Sequence, residues 1–257
     1  MPPIPPDVTV DALGAGREAL ARAAWEEARA AFAAAAAQEE TPEALEGLGA
    51  AAQWLFDQST LFPAWERAYQ LYRERGNLPG AARLATLLGV AYSELRGEHA
   101  IARGWLQLAQ GLLEGLDPSL EHGWFALYSG HFALFIERDP AEALRAAEEV
   151  IAIARQLESI DLEVVGIALG GLSRVVQGEI EAGMRRLDQA TAAAVAGEVS
   201  DFNALWNTCC YLISGCERVR DYDRAAQRCD KAAEVCTRWG IRPLFAACRT
   251  HYASLLI

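Results

Sequence analysis

The chain has very little lysine and no basic stripe. Of its 257 residues only Lys231 is lysine, and the formal net charge is −12. Its densest basic spots are the pair Arg185 and Arg186 and the pair Arg218 and Arg220. A phosphate backbone repels such a chain on average, because no local stripe reverses the charge. We therefore expect no direct nucleic-acid binding by this segment.

Long apolar runs are also missing. No run reaches the roughly 18 to 20 apolar residues that would span a bilayer. The start, Met1–Pro6, has neither the basic flank nor the apolar core of a signal peptide. The expectation is a cytoplasmic protein that does not bind a membrane.

Cysteine is confined to the later part of the chain, and no CxxC pair occurs. The six cysteines are Cys209, Cys210, Cys216, Cys229, Cys236 and Cys248. Cys248 and His251 stand three residues apart and Cys229 and Cys236 seven apart, so a four-ligand site is conceivable. Zinc sites usually show closer ligand pairs, and free cysteine is also a small buried hydrophobe that suits tight helix crossings. The sequence predicts no metal and no cofactor.

Apolar residues recur at spacings of three and four almost everywhere, and alternating β-branched runs are absent, which predicts an all-α fold. Prolines and glycines mark short connections between the helices. The predicted helices are 9–22, 25–38, 42–55, 60–75, 79–96, 98–114, 119–137, 140–157, 161–177, 179–196, 200–219, 222–238 and 243–256.

Glycine recurs at one equivalent position in the first helix of five successive hairpins. These glycines are Gly16, Gly49, Gly89, Gly130 and Gly170. About twelve residues later the second helix carries a small or apolar position, at Ala28, Leu61, Ala102, Ala143, Ala182 and Ala225. The next bulky contact follows four residues on, at Phe32, Trp65, Leu106, Ala147, Arg186 and Cys229.

Small residues at a repeating register indicate helices that approach closely, as in tetratricopeptide repeats. The predicted fold is a superhelical stack of antiparallel helical hairpins over residues 1–257, a single α-solenoid domain of about six hairpins plus an unpaired last helix. The repeat is degenerate, because its step ranges from 33 to 43 residues instead of staying at 34. A non-repetitive α-bundle that merely shares glycines is the alternative.

The last helix, 243–256, has no partner and leads into the apolar end Tyr252–Ile257. A solvent-facing end of a repeat array needs a polar cap. Either the chain is a fragment, or this helix packs on another surface, which includes a homodimer through the C-terminal helix.

Several segments resemble the tetratricopeptide-rich region of large bacterial regulators of the LuxR type and of related multidomain signalling proteins. The segments that carry this resemblance are Trp25–Phe32, Thr41–Gly49, Ala102–Leu106, Glu121–Trp124, Cys216–Val219 with Asp221 and Tyr222, Arg238–Gly240, Pro243–Phe245 and His251–Ala253. The resemblance implies a sensing or protein-binding scaffold, with DNA binding left to a separate helix-turn-helix domain, which we do not expect in this sequence. It says little about the ligand.

In a stack of hairpins the first helices line the concave face. The residues expected to contact a ligand there are Trp54, Trp65, Arg83, Glu94, Trp124, His131, Arg174, Trp206, Asn207 and Glu217. Trp124 and His131 are seven residues apart and therefore share one helical face. Aromatic walls with a few convergent polar groups are typical of binding sites, although tryptophan and histidine on repeat helices also pack between repeats.

The sequence favours a non-catalytic scaffold or sensing domain whose concave face binds a partner protein, a peptide or a regulatory metabolite. The alternative is a small-molecule receptor or an enzyme with a closed pocket lined by tryptophan and histidine. His131 with Glu94 or Glu217 could form an acid–base pair if the helices close tightly. No nucleophile motif or phosphate loop supports catalysis.

Overall fold

The computed structural model describes residues 11–221, and this part of the chain is all-α. Its eleven α-helices are α1 (Ala12–Ala21), α2 (Trp25–Gln38), α3 (Pro42–Trp54), α4 (Gln58–Glu74), α5 (Leu78–Arg96), α6 (His99–Leu113), α7 (Leu120–Phe132), α8 (Pro140–Gln156), α9 (Ile160–Val176), α10 (Ile180–Ala196) and α11 (Phe202–Val219). Adjacent helices pack in pairs, which confirms the predicted all-α class. The predicted helices 222–238 and 243–256, and the contact proposed for the last of them, lie outside the described residues.

Polar side chains cap the starts of several helices. Thr41 accepts a hydrogen bond from the backbone N–H of Ala44, and Asp139 accepts from Ala141 and Glu142. Pro42 and Pro140 each follow such a cap at the first helical position. Proline costs little there, because its missing N–H would have no partner within the helix.

One predicted helix differs from the structure. The segment 119–137 was expected to be a single α-helix, but α7 ends at Phe132 and a π-helix follows over Ala133–Glu137. Arg138 then takes a left-handed conformation with φ of 60°, and the N–H of Asp139 bonds to the carbonyl of Ala133 at 2.9 Å. The wider turn rotates Phe135 relative to an α-helical continuation. Single π turns inside α-helices often occur at functional sites.

The chain divides into two compact units, Met1–Asn77 and Leu78–Ile257. In the first unit, Phe32 (1% exposed) and Trp65 (1% exposed) are the large core side chains between paired helices. In the second unit, one continuous apolar core runs through α7 to α11 and includes Leu127, Leu169 and Leu212.

The repeating glycines lie where paired helices touch. A Cβ added to Gly16 would lie 2.8 Å from the ring of Phe32, and one added to Gly89 would lie 3.0 Å from Cγ of Leu106. A Cβ on Gly49 would overlap the indole of Trp65. Each glycine therefore makes room for the bulky side chain that follows it in the second helix of its hairpin, as the sequence predicted.

The register is wrong by one residue in the later hairpins. A Cβ on Gly170 would meet only ordinary contacts, the nearest at 3.4 Å, whereas one on Gly171 would lie 3.0 Å from Leu187 and from the carbonyl oxygen of Gly183. The close pair is thus Gly171 with Leu187, not Gly170 with Arg186. Gly183 takes the place predicted for Ala182. Two adjacent glycines made the correct position ambiguous from sequence.

The preceding hairpin shifts by one position as well. A Cβ on Gly130 would lie 2.7 Å from Cβ of Ala146, whereas Ala147 faces Gly170. Because both alanines are small and buried, the sequence could not say which of them meets the glycine. None of the helices among residues 11–221 is both long enough and apolar enough to cross a bilayer.

Candidate functional site

Side chains from three helices of the second unit meet at His131. Its Nδ1 lies 3.0 Å from the hydroxyl of Tyr211 on α11, and its Nε2 lies 3.4 Å from Oε1 of Glu94 on α5. Tyr211 is 80 residues away in sequence. We call Glu94, Tyr128, His131, Phe135, Asn207 and Tyr211 the His131 cluster.

The packing of α9 explains how α7 and α11 come together. This helix packs against both of them: its Leu169 lies against Gly130 of α7, and its Leu172 lies near Gly215 of α11. Small residues allow neighbouring helices to approach closely. The long side chain of Tyr211 then reaches the imidazole of His131, and its ring is 1% exposed.

His131 is neutral at pH 7. Its side chain is 22% exposed, and burial lowers the pKa of His131 to about 4, because a desolvated imidazole resists taking up a charge. A neutral imidazole has one donor nitrogen and one acceptor nitrogen. If the Tyr211 hydroxyl donates to Nδ1, then the proton of the imidazole is on Nε2, which faces Oε1 of Glu94 at 3.4 Å.

That tautomer satisfies each polar group when Glu94 is ionised. With Glu94 protonated and donating to Nε2, the proton on Nδ1 would point at the Tyr211 oxygen, and the Tyr211 hydroxyl would need another acceptor. Among the described residues, the only hydrogen-bond partner of Tyr211 is His131. The hydrogen bonds of the His131 cluster therefore favour a carboxylate, not a carboxylic acid, at Glu94.

Desolvation acts in the opposite direction and raises the pKa of Glu94 to about 7. The Glu94 side chain still has 44% of its surface exposed. Water therefore reaches part of this side chain and opposes the effect of burial. Within residues 11–221 no positively charged side chain offsets the effect of burial on the pKa of Glu94.

A second tyrosine borders the cluster. Tyr128 is 5% exposed, hydrogen-bonds the side chain of Asn207 and stacks on Trp124 with ring centroids 6.0 Å apart. Asn207 also donates from Nδ2 to the carbonyl of Asn203 at 2.8 Å. Burial raises the pKa of Tyr128 and of Tyr211, so both hydroxyl groups stay protonated at neutral pH.

The π-helix supplies the exposed wall of the cluster. The ring of Phe135 lies 4.6 Å from that of His131 and 6.2 Å from that of Tyr211, with which it is nearly parallel. Phe135 is 38% exposed. An accessible aromatic ring therefore lies next to the polar groups.

Two cavities are relevant to binding in the second unit. A crevice of about 10 Å³, with room for roughly one water-sized group, is lined by Ser93, Glu94, Tyr128, His131 and Phe132, with Gly89, Val90 and Leu106. A larger and more open cavity of about 360 Å³ lies among α8, α9 and α10, where Arg155 and Arg186 face Ile151 and Ile167. The larger one does not include the His131 cluster.

The other predicted site residues of the second unit lie elsewhere on it. Arg83 is bound to Glu121 at 2.9 Å, and Arg174 to Glu179 at 2.6 Å. Trp206 is half-buried on α11 and Glu217 is exposed near its end. The structure thus brings Glu94, His131, Asn207 and Trp124 into one neighbourhood. Arg83 instead links α5 to α7 through its ion pair with Glu121, and Arg174 links α9 to Glu179 at the start of α10.

The two tryptophans predicted in the first unit make contacts within that unit. Trp54 stacks on Trp25 with ring centroids 5.2 Å apart. Trp65 is 1% exposed, and its Nε1 donates to the carbonyl of Glu46 at 3.1 Å. The indole of Trp65 fills the space that Gly49 leaves open.

Sequence reasoning missed Tyr128, Phe135 and Tyr211. The signal was present for the tyrosines, because Tyr128 stands three residues before His131 and Tyr211 four residues after Asn207, so each shares a helical face with a selected residue. Phe135 depends on the π turn, for which the sequence gives no comparable signal.

Metal binding and comparison with known proteins add no further assignment. Among residues 11–221, no group of three or more histidine, cysteine or acidic side chains is arranged to hold a metal ion. The candidate ligands Cys229, Cys236, Cys248 and His251 lie outside the described residues. No family model matches the chain, and no curated protein matches it either.

Proposed function

We propose that the chain is a non-catalytic binding or sensing module of tetratricopeptide-like hairpins, of the type found in bacterial regulators. Its ligand-recognition centre is the His131 cluster. The observation that carries the proposal is the meeting of Glu94, His131 and Tyr211 from α5, α7 and α11 at hydrogen-bonding or ion-pair distances. Convergent polar groups beside aromatic walls are what binding sites require.

The chemistry of His131 favours binding over catalysis. A general base needs a free basic nitrogen near the operating pH. The two nitrogens of His131 contact Tyr211 and Glu94, and its pKa lies well below neutral. The imidazole therefore serves to orient the Glu94 carboxylate, and we propose no covalent step.

The size of the crevice bears on the kind of ligand. A space of about 10 Å³ does not enclose a metabolite, whereas enclosed small-molecule sites usually measure about 300–1,000 Å³. A protruding group of a larger partner or of an elongated ligand fits better. The proposed ligand is thus a peptide segment, a partner protein or a metabolite that presents one small polar group.

A thermal-shift screen of the full chain tests this proposal. The probes are amino acids, polyamines, sugars, nucleotides and a set of short peptides, each applied to the wild type and to the Tyr211→Phe and Glu94→Gln variants. A ligand that binds the native state raises the unfolding midpoint. We expect at least one probe to shift the wild type by several degrees more than either variant. Probes that shift all three proteins equally would place binding elsewhere and contradict the proposal.

A further inference from the structure

Arg186 on α10 is a half-buried arginine to which no carboxylate is bound. Five arginines among residues 11–221 are half-buried. Four of them form ion pairs with acidic side chains, namely Arg29, Arg67, Arg83 and Arg174. Arg186 forms neither an ion pair nor a hydrogen bond with any residue of the described range. Its guanidinium therefore keeps five N–H donors and its positive charge for a ligand.

Two adjacent glycines of α9 leave room for the side chain of Arg186. A Cβ added to Gly171 would lie 3.1 Å from Cβ of Arg186. A Cβ added to Gly170 would lie 3.8 Å from Nη1 of Arg186 and 3.4 Å from Cβ of Ala147 on α8. The arginine side chain thus lies along the two glycines, with its methylene stem against α9 and its guanidinium directed towards α8.

Arg186 lines the cavity of about 360 Å³ that lies among α8, α9 and α10. This volume is within the range of small-molecule sites, about 300–1,000 Å³. The apolar part of the lining consists of Ile151, Ala152 and Ile167. Both isoleucines are half-buried, so each still presents apolar surface to the cavity. A ligand with an aliphatic body and one polar end would match this lining.

The charges on the cavity wall favour a ligand with one negative charge. Arg155 also lines the cavity, but its Nε bonds to Oε1 of Glu163 at 2.8 Å. Glu148 lines it as well, and Oε1 of Glu148 lies 3.9 Å from Nη2 of Arg174. Of the three charged lining groups, Arg186 is thus the one without an ion-pair partner among residues 11–221. A monoanion would balance its charge, whereas a dianion such as a phosphate monoester would bring a second charge that nothing there offsets.

We infer that this cavity binds a small monocarboxylate with an aliphatic body, with Arg186 as its counter-ion and Ile151 and Ile167 as its apolar wall. A carboxylate suits Arg186 because a planar guanidinium can donate two parallel N–H bonds to the two carboxylate oxygens. A free aliphatic acid and the C-terminus of a peptide that ends in an aliphatic residue present the same chemistry. The site is separate from the His131 cluster, so the inference goes beyond the proposed function.

The test is calorimetric titration of the full chain with three probes that share an isobutyl group. They are 4-methylpentanoate, the neutral 4-methylpentanamide, and N-acetyl-leucine, which carries its carboxylate as a peptide C-terminus does. The proteins are the wild type, Arg186→Gln and the matched control Arg185→Gln. Arg185 precedes Arg186 on α10, but its side chain is 71% exposed and does not line the cavity. Its loss therefore controls for the general effect of removing one positive charge.

We expect the wild type and Arg185→Gln to bind a carboxylate probe with equal affinity. Arg186→Gln should bind it at least about tenfold more weakly, because the charged hydrogen bonds to the ligand are lost, and the amide should not bind. Tighter binding of 4-methylpentanoate would indicate a free acid as the source, and tighter binding of N-acetyl-leucine a peptide C-terminus. Equal losses in the two arginine variants, an amide that binds as tightly as the acid, or a wild type that binds neither carboxylate would overturn the inference.

A second variant tests the location of binding without changing a charge. Ala152 lines the cavity and is exposed on α8, so Ala152→Phe should fill part of the cavity and still fold, which circular dichroism checks. It should also weaken carboxylate binding at least about tenfold, and an unchanged affinity would overturn the inference. Tyr211→Phe and Glu94→Gln should bind the probe as the wild type does. If these two variants lose it instead, the probe binds at the His131 cluster, so the inference is wrong and the proposed function stands.

Discussion

The close contact between α9 and α10 makes the effect of one added methyl group predictable. A Cβ on Gly183 would lie 2.5 Å from the carbonyl oxygen of Gly171 and 2.8 Å from the backbone nitrogen of Val175. Both are backbone atoms, so no side chain can rotate away. In Gly183→Ala the two helices must therefore move apart. Gly170→Ala is the matched control, because its Cβ would be 3.4 Å or more from every neighbour.

The magnitudes follow from two opposing terms. Alanine is more favourable than glycine inside a helix by about 1 kcal/mol. Overpacking a close contact costs about 1–3 kcal/mol, and we expect the upper end for Gly183→Ala because backbone must shift. The net loss of unfolding free energy is then about 2 kcal/mol. Gly170→Ala keeps only the helix term and should gain about 0.5–1 kcal/mol.

Thermal unfolding followed by circular dichroism measures both effects. For a chain of this size 1 kcal/mol moves the midpoint by about 2–4 °C. Gly183→Ala should fall by about 4–8 °C and Gly170→Ala should rise slightly. If Gly183→Ala is as stable as Gly170→Ala, then Gly183 does not lie at a helix contact, and the register based on Gly171 and Leu187 is wrong.

Three further predictions concern the polar cluster and the core. The pKa of Glu94 is raised in the folded state, so the protonated form stabilises the fold below about pH 4.5, and this contribution is lost as pH rises towards 7. The unfolding midpoint of Glu94→Gln relative to that of the wild type should therefore increase over that range. A difference between the two midpoints that does not change with pH would contradict the raised pKa. Tyr211→Phe leaves Nδ1 of His131 without its partner and should cost about 1–3 kcal/mol in urea unfolding, whereas Tyr69→Phe, on an exposed hydroxyl, should change stability little. Trp65→Ala should cost about 3–5 kcal/mol through the cavity opposite Gly49, and a loss below 1 kcal/mol would show that the indole is not in the core.

Much of the fold was accessible from sequence because its signals are local. The start and end of α2, Trp25–Gln38, were predicted to the residue, and the glycines expected in connections, among them Gly97 and Gly178, have positive φ of 67° and 94°. Contacts within a hairpin could also be predicted, because a glycine in the first helix and a bulky residue about sixteen positions later in the second helix face each other across a short turn. Gly16 with Phe32 is the simplest example.

The site was accessible only in part. His131 and Glu94 were selected individually and their pairing was raised as one option, but their contact depends on how α5 and α7 approach, and sequence spacing does not determine an approach between separate hairpins. The contact of Tyr211 with His131 spans 80 residues and depends on the packing of both α7 and α11 against α9. Phe135 depends on the π turn over Ala133–Glu137, for which the sequence gives no comparable signal.

The ring of His131 gives the most direct test of the account, because it is neutral, hydrogen-bonded to Tyr211 and in contact with Glu94 only if α5, α7 and α11 meet there. Nitrogen-15 NMR of the imidazole as a function of pH, assigned by the loss of one of the four histidine signals in His131→Gln, measures both its pKa and its tautomer. We predict a pKa well below the ordinary value, at about 4, with the proton on Nε2 at neutral pH. A pKa near 6.5 with rapid exchange between tautomers would show that His131 is solvated and that the three helices do not form this site.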